Sequence, residues 1–241
     1  MLTVAILAGG LATRLRPITE TIPKALVDVS GQPFILRQLS YLRDQGIGRV
    51  VLCVGYLGNM IEEVVGSGEQ FGLSISYSMD GPTLLGTGGA LKKALPLLGE
   101  NFFVLYGDSF LPINFLKVQQ AFIQSKQKAL MTVLKNGDRW DKSNVLFTNG
   151  FLLEYNKHVP RPDMTYIDYG LGVISADVLE SYSAEKPFDL ACVYQTLAKK
   201  GQLAGLEVYE RFYEIGSHEG LKEAEDYFFS RTKHELRVTT P

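Results

Sequence analysis

The chain has 241 residues, 46% of them hydrophobic and 21% charged, enough to bury one large core and ordinary for a globular protein. Its 24 Lys and Arg against 26 Asp and Glu leave a net charge of −2, so no global basic field draws nucleic acid. No apolar run is long enough to span a bilayer and no basic leader precedes the first apolar run; the expectation is a cytoplasmic protein without a membrane partner.

Apolar runs of strand length alternate with helical patterns. The spacing predicts a strand over residues 2–7, a helix over 34–45 behind Pro33, and a strand over 49–54 buried on both faces. A helix near 59–65, a strand at 74–78, a helix at 90–97 and a strand at 102–106 follow. Such alternation with short links means parallel pairing, so the first half reads as a doubly wound α/β sheet.

Beyond it, Asn114 caps a helix reaching residue 124, and 129–135 is a strand. Strands at 144–147 and 151–155 flank Asn149-Gly150, a hairpin pair. A long strand at 165–175, helices near 176–182 and 190–199, a strand at 203–208 and a helix from Ser217 to about 229 complete the pattern. One domain is expected over 1–230, in two halves that divide at about residue 110, with a frayed tail at 231–241. Cys53 and Cys192, each in an apolar stretch, read as buried free thiols.

The most informative stretch runs from Leu7 through Ala8, Gly9 and Gly10 to Arg14, Arg16 and Pro17, with Pro23-Lys24 following. Glycine backbone after a strand can cradle phosphate oxygens, Arg14 adds a planar fork of donors and Lys24 a point charge. The set suits a triphosphate; it matches neither the Gly-Lys-Ser/Thr phosphate loop nor a G-x-G-x-x-G turn. Asp108, after an apolar strand at Gly107, is either a hard ligand for Mg²⁺ or a turn residue. Glu214 offers a second carboxylate, or a solvated or capping one.

Gly86-Thr87-Gly88-Gly89 is a second glycine-rich segment, where a flat base can lie on the backbone or glycines merely shape a loop. Asp80, just before it, could accept from guanine N1–H and its amino group. Residues 165–174 alternate cleanly: Ile167, Tyr169, Leu171 and Val173 face one way, and Tyr166, Asp168, Gly170 and Gly172 the other. The second face suits a sugar wall, and suits tight packing against a helix almost as well. Lys157 lies near that region and could hold a second phosphate. No nucleophilic triad or His/Cys metal spacing appears, and His158, His218 and His234 are scattered. The chemistry left is positioning with cations and a metal.

Together these motifs resemble the sugar-1-phosphate nucleotidyltransferase family from residue 2 to about 225, most of all its short heptose-1-phosphate and mannose-1-phosphate guanylyltransferases. The resemblance implies a Rossmann-like nucleotide-diphospho-sugar transferase fold, a mostly parallel sheet with helices on both faces, and Mg²⁺. It implies that a nucleoside triphosphate, GTP by this resemblance, and a sugar 1-phosphate give a nucleotide sugar and pyrophosphate. By position, Arg14 would bind the triphosphate, Lys24 the charge at the α-phosphate, Asp108 and Glu214 the metal, and Lys157 the sugar phosphate. Leu7, Ala8, Gly9, Gly10, Asp80, Gly86, Thr87 and Gly88 fall on the nucleotide side; Asn144, Asn156, Asp168 and Gly170 fall on the sugar-phosphate side.

Three positions depart from the family pattern. Ala12 replaces a glycine, which requires that it avoid positive φ. Asn156-Lys157-His158 replaces Glu-Lys-Pro, and Glu214 replaces an aspartate. The segment 19–26 also resembles the opening of choline-phosphate cytidylyltransferases, with Tyr166, Tyr169 and Asp168 available to a quaternary ammonium. A regulatory subunit that binds nucleotide sugars without turnover is the third reading. Small-molecule substrates are the expected partners, and a homo-oligomer is compatible with the sequence.

Overall fold

The computed structural model describes residues 1–183 and 186–238. Its first strand, β1 (Thr3–Leu7), sends Val4 and Ile6 to one face of a sheet and Ala5 and Leu7 to the other, the period of two that a strand covered on both faces requires. Then come α1 (Phe34–Asp44), β2 (Arg49–Val54), α2 (Gly58–Val65), β3 (Ser74–Met79), α3 (Gly86–Leu98) and β4 (Asn101–Tyr106). All four strands pair in parallel in the order β3-β2-β1-β4. Helix α1 packs Ile35, Leu39 and Leu42, and α2 packs Ile61, on the Val4 face; α3 packs Ala90, Leu91 and Ala94 on the Ala5 face. The doubly wound first half is as the sequence reads.

The second half adds β5 (Ser109–Phe110), α4 (Phe115–Ser125), β6 (Ala129–Lys135), β7 (Val145–Thr148), β8 (Phe151–Tyr155), β9 (Tyr166–Ser175), α5 (Leu190–Lys199), β10 (Leu203–Val208), β11 (Tyr213–Glu214) and α6 (His218–Val238). Strand β9 runs antiparallel between β4 and β6, extending the sheet to β10-β6-β9-β4-β1-β2-β3, while the β7–β8 hairpin leans on β9. Its turn is Asn149-Gly150, both at positive φ as a two-residue hairpin demands. Caps fall where expected: Asn114 Oδ1 accepts from Lys117 N at 2.9 Å, and Ser217 Oγ accepts from Gly220 N at 3.0 Å.

A smaller apolar cluster joins Val27, Val29 and Phe34 to Phe110, Ile215 and Phe228 beneath α6. Burying one such phenylalanine contributes about 1.5–3 kcal/mol, enough to fasten β5 and β11 to the main body. These two-residue strands pair with each other, too short to show as a pattern in sequence.

Four expectations are corrected. Helix α3 begins at Gly86 instead of residue 90, because Phe188 O takes Gly88 N–H at 3.0 Å and caps a turn that the glycines would not otherwise hold. The helix expected over 176–182 is one short turn, Ala176–Leu179, sufficient to bury Leu179. Cys53 is buried, but Cys192 is exposed, on the outer side of α5 from Leu190, Ala191 and Tyr194. Helix α6 continues to Val238, past residue 229; the last of the tail expected to fray, 239–241, lies outside the described residues. Among the described residues no helix is long and apolar enough to cross a membrane.

Candidate functional site

Two cavities open beyond the carboxyl ends of the strands, where open α/β sheets place ligands. The first, about 240 Å³, is walled by the chain leaving β1 (Leu7, Ala8, Gly9, Gly10), by Asp80 after β3, by Gly86 and Thr87 at the start of α3, and by Tyr106, Gly107 and Asp108 after β4. Ala8 N–H is spent on Cys53 O at 2.8 Å. The next N–H groups, of Gly9 and Gly10, donate to nothing else among the described residues. They are free for an anion.

Asp80 is buried at 8% exposure and its Oδ2 accepts from Leu85 N at 3.1 Å. Burial pushes its carboxyl up, opposed by the Leu85 N–H and by Lys93. Cys53 also faces this cavity; burial, with the Asp80 charge beside it, pushes its thiol to about 12, so it is wall and not nucleophile. Gly88 stands apart from the other nucleotide-side candidates. A Cβ there would meet the Phe188 ring at 2.2 Å, so its bareness admits a neighbouring aromatic side chain and not a base. Thr87 Oγ donates to Asp189 Oδ1 at 2.9 Å and accepts from Leu190 N at 2.8 Å, tying α3 to α5.

The second cavity is larger, about 380 Å³, and more polar in its walls, with Arg14, Asn144, Lys157, Asp168, Gly170 and Glu214 among them. The alternation in β9 delivers Asp168 and Gly170 to the same side. Gly170 has φ +102°, which a side chain would resist, and here bareness does open a wall. Asn144 Oδ1 accepts from Asp168 N at 3.0 Å, and Asp168 Oδ1 accepts from Gly170 N at 3.0 Å. Burial raises the Asp168 carboxyl to about 6, against the pull of the Gly170 N–H and Lys157. Lys157 Nζ is 3.8 Å from Asp189 Oδ2, the carboxylate that also holds Thr87.

Besides Gly88, three positions sit differently from the sequence reading. Asn156 is not at the cavity: its Oδ1 accepts from His158 N at 3.2 Å and Val159 N at 2.9 Å, closing its own turn. Arg14 borders the second cavity and not the first, its Nη2 3.0 Å from where a Cβ on Gly216 would stand. Ala12, expected to avoid positive φ, has φ +50° and ψ +41°. The loop takes a left-handed turn of the kind glycine favours, with an alanine in it.

The cavities meet at Tyr106 and Asp108, which line both. Lys24 Nζ bonds Asp108 Oδ2 at 2.9 Å, and Ser109 Oγ lies 3.2 Å from Asp108 Oδ1. Ile215 N donates to Asp108 O at 2.9 Å, while β11 pairs Glu214 opposite Ser109. Glu214 Oε2 accepts from Gly216 N at 2.6 Å and Oε1 from Ser217 Oγ at 3.2 Å.

Each carboxylate therefore keeps acceptor capacity after its protein bonds. Among the described residues no group of three or more His, Cys, Asp or Glu gathers as a metal cage. Two hard carboxylates beside a phosphate-sized space match the habit of Mg²⁺, which takes one or two protein ligands and completes its shell with phosphates and water.

The sequence reading missed Tyr106, Trp140, Tyr155 and Phe212 in these walls. Trp140 carried a usable signal: the chain's one tryptophan stands in a Gly-Asp-Arg-Trp-Asp turn. That turn is braced by Asn136, whose Nδ2 donates to Asp141 O at 2.6 Å and Ser143 Oγ at 3.0 Å.

The family described as nucleotidyl transferase matches residues 3–143 of this chain. D-glycero-alpha-D-manno-heptose 1-phosphate guanylyltransferase of Campylobacter jejuni is 29% identical over 211 residues, covering 88% of this chain and 93% of that protein. Mannose-1-phosphate guanylyltransferase catalytic subunit beta of Xenopus tropicalis is 31% identical over 88% of this chain, a match taking in 60% of that longer protein. The crystal structure of HddC from Yersinia pseudotuberculosis complexed with GMP-PN superimposes with a TM-score of 0.79 at 25% identity, over 95% of this chain and all of that one.

Proposed function

This chain belongs to the nucleotidyl transferase family, and from that membership we propose that it joins GTP to a heptose or hexose 1-phosphate in the cytoplasm, releasing pyrophosphate. One observation carries the reading: an apolar cavity built on free backbone N–H groups and a polar cavity holding Lys157 share a wall at Asp108. Two anionic substrates placed one in each would meet at that carboxylate and its Lys24 partner. The guanine preference is supported by the buried Asp80 carboxylate, by the guanylyltransferase names of the relatives, and by the similar structure of HddC complexed with GMP-PN.

In the reaction a phosphate oxygen of the sugar 1-phosphate attacks the α-phosphorus in line. The new P–O bond forms as the bond to the bridging oxygen breaks, and pyrophosphate leaves with that electron pair. The protein supplies no nucleophile; it holds two anions at bonding distance and neutralises their charge. Gly9 and Gly10 N–H groups receive triphosphate oxygens. Lys24 sits where charge gathers at the α-phosphate, released to it from Asp108. Lys157 binds the sugar phosphate, with Arg14 at the lip of the same cavity, and Asp168 and Asn144 accept and donate to sugar hydroxyls beside Gly170. Asp108 and Glu214 would hold Mg²⁺, which when bound withdraws charge from the reacting phosphates.

The test is pyrophosphate release with Mg²⁺, crossing GTP, CTP, UTP, ATP and dTTP with heptose, mannose, glucose and N-acetylmuramate 1-phosphates and phosphocholine. GTP with heptose or mannose 1-phosphate is the expected productive pair. Turnover of CTP with phosphocholine alone would replace the acceptor, and silence across the grid with nucleotide sugar still bound would leave a regulatory subunit.

A further inference from the structure

We propose that Gln38, in the middle of α1, is a positioning residue that sets the place of Asp108. Gln38 is 2% exposed. Its Nε2 donates to Tyr106 O at 3.0 Å and to Ser109 O at 2.7 Å, the carbonyls on either side of Gly107-Asp108. One amide nitrogen thus pins both ends of the turn that presents the carboxylate at which the two cavities meet. Two carbonyl partners can only be met by a donor, which fixes the amide with nitrogen toward the turn and leaves Oε1 buried with no donor among the described residues. A core selected for stability alone would place leucine or methionine here, since an unpaired buried carbonyl is costly. The opposite side of the turn is held by Gly107 N to Leu7 O at 3.0 Å and Ile215 N to Asp108 O at 2.9 Å. Gln38 therefore closes a clamp whose other jaw is backbone. Through the pairing of Ser109 with Glu214, the same bond also fixes the register of the second carboxylate.

The inference rests on the reading of Asp108 given above, and the test separates the two. Gln38→Met keeps the volume and removes the donor. Gln38→Glu keeps the shape, and burial protonates its carboxyl so that one O–H can donate. Ile61→Val, on α2 in the same core, serves as a control for lost packing. Three quantities are read: kcat and KM for each substrate, the thermal midpoint, and amide hydrogen exchange at residues 107–109. Q38M is expected to lower kcat about tenfold to a hundredfold, the cost of a small misplacement of a reacting group, with both KM values within about twofold. Exchange at 107–109 is expected to quicken about tenfold, with neither change in I61V, and Q38E to fall between, since its carboxyl offers one donor where the amide offers two. Q38M kinetics and exchange matching I61V would overturn the inference. An Asp108→Asn enzyme that retains turnover would overturn it at its premise. Should Q38M fail to fold, Q38E decides by the same three readings.

Discussion

The two cavities share a wall and little else. The first is made by backbone: strand ends of a parallel sheet, a glycine loop and the first turn of α3, with Lys24, Asp80 and the shared Asp108 as its charged side chains. The second is made by side chains converging on the shared 106–109 turn from five other places: the short turn at 13–15 that carries Arg14, the 136–144 loop, the end of the β7–β8 hairpin, β9 and the chain around β11. A backbone site reads anions through dipoles that any triphosphate satisfies. A side-chain site reads one acceptor's particular groups. In the proposed function the general half of the reaction falls on the regular half of the fold, and the selective half on the irregular one.

The sharpest way to break this division is at the shared wall. Asp108→Asn is expected to lower kcat about 10³-fold, the upper range for removing one preorganised electrostatic group. The fold is spared, because the Lys24 pair is partly solvated and such pairs stabilise little. Turnover near wild type in steady-state assays would dissolve the junction, leaving two unrelated pockets.

A second cut tests independence. Lys157→Ala removes a charge-assisted contact of about 1.5–3 kcal/mol, so KM for the sugar phosphate is expected to rise about tenfold to a hundredfold. KM for the nucleotide stays within about twofold. Equal rises in both, measured with each substrate varied in turn, would mean that the cavities act as one.

A third sharpens the polar side by its pH dependence. Asp168 titrates near 6 in the folded protein against 3.8 for its ordinary value, because it is buried. Its ionised form therefore opposes folding. The penalty is absent below about pH 3, where the carboxyl is protonated in both states, grows as pH rises through 4 toward 6 and is complete above it. Asp168→Asn is expected to melt higher than wild type at pH 8 and equally at pH 3. Parallel melting curves over that range would show Asp168 better solvated than its place implies.

The same division explains what could be read from the sequence. Gly9, Gly10, Lys24 and Asp108 lie within or next to single strand-to-loop units, and local pattern found them. The polar face of β9 was legible because a strand's period is two. Asn156 lies away from its expected place because a side chain beside a cavity lysine can as easily cap its own turn, and spacing does not say which. Trp140 and Gln38 were missed for a different reason: their partners are far along the chain, Tyr106 and Ser109 in one case and Phe212 in the other. Gly88 looked like a nucleotide contact until Phe188, a hundred positions on, was seen to fill the space.

Ala12 offers the smallest and cleanest test, since the expectation about it was overturned. It lies between the two cavities in chain order, lining the first while its neighbour Arg14 lines the second. At φ +50° its Cβ crowds the following carbonyl, a conformation costing an L-residue about 1–2 kcal/mol. Glycine removes that cost but gives the unfolded chain more freedom, recovering about 0.5–1 kcal/mol in the opposite direction. Ala12→Gly is therefore expected to stabilise by about 0.5 kcal/mol and raise the thermal midpoint by about 1–2 °C for a chain of this size. A lower midpoint by calorimetry would mean the backbone is held in place by contacts of the Ala12 methyl group in the cavity wall. KM for the nucleotide separates the two accounts again. If strain at residue 12 only shapes the loop, relieving it leaves that KM unchanged; if the methyl group is part of the wall, removing it weakens nucleotide binding while the sugar phosphate is held as before.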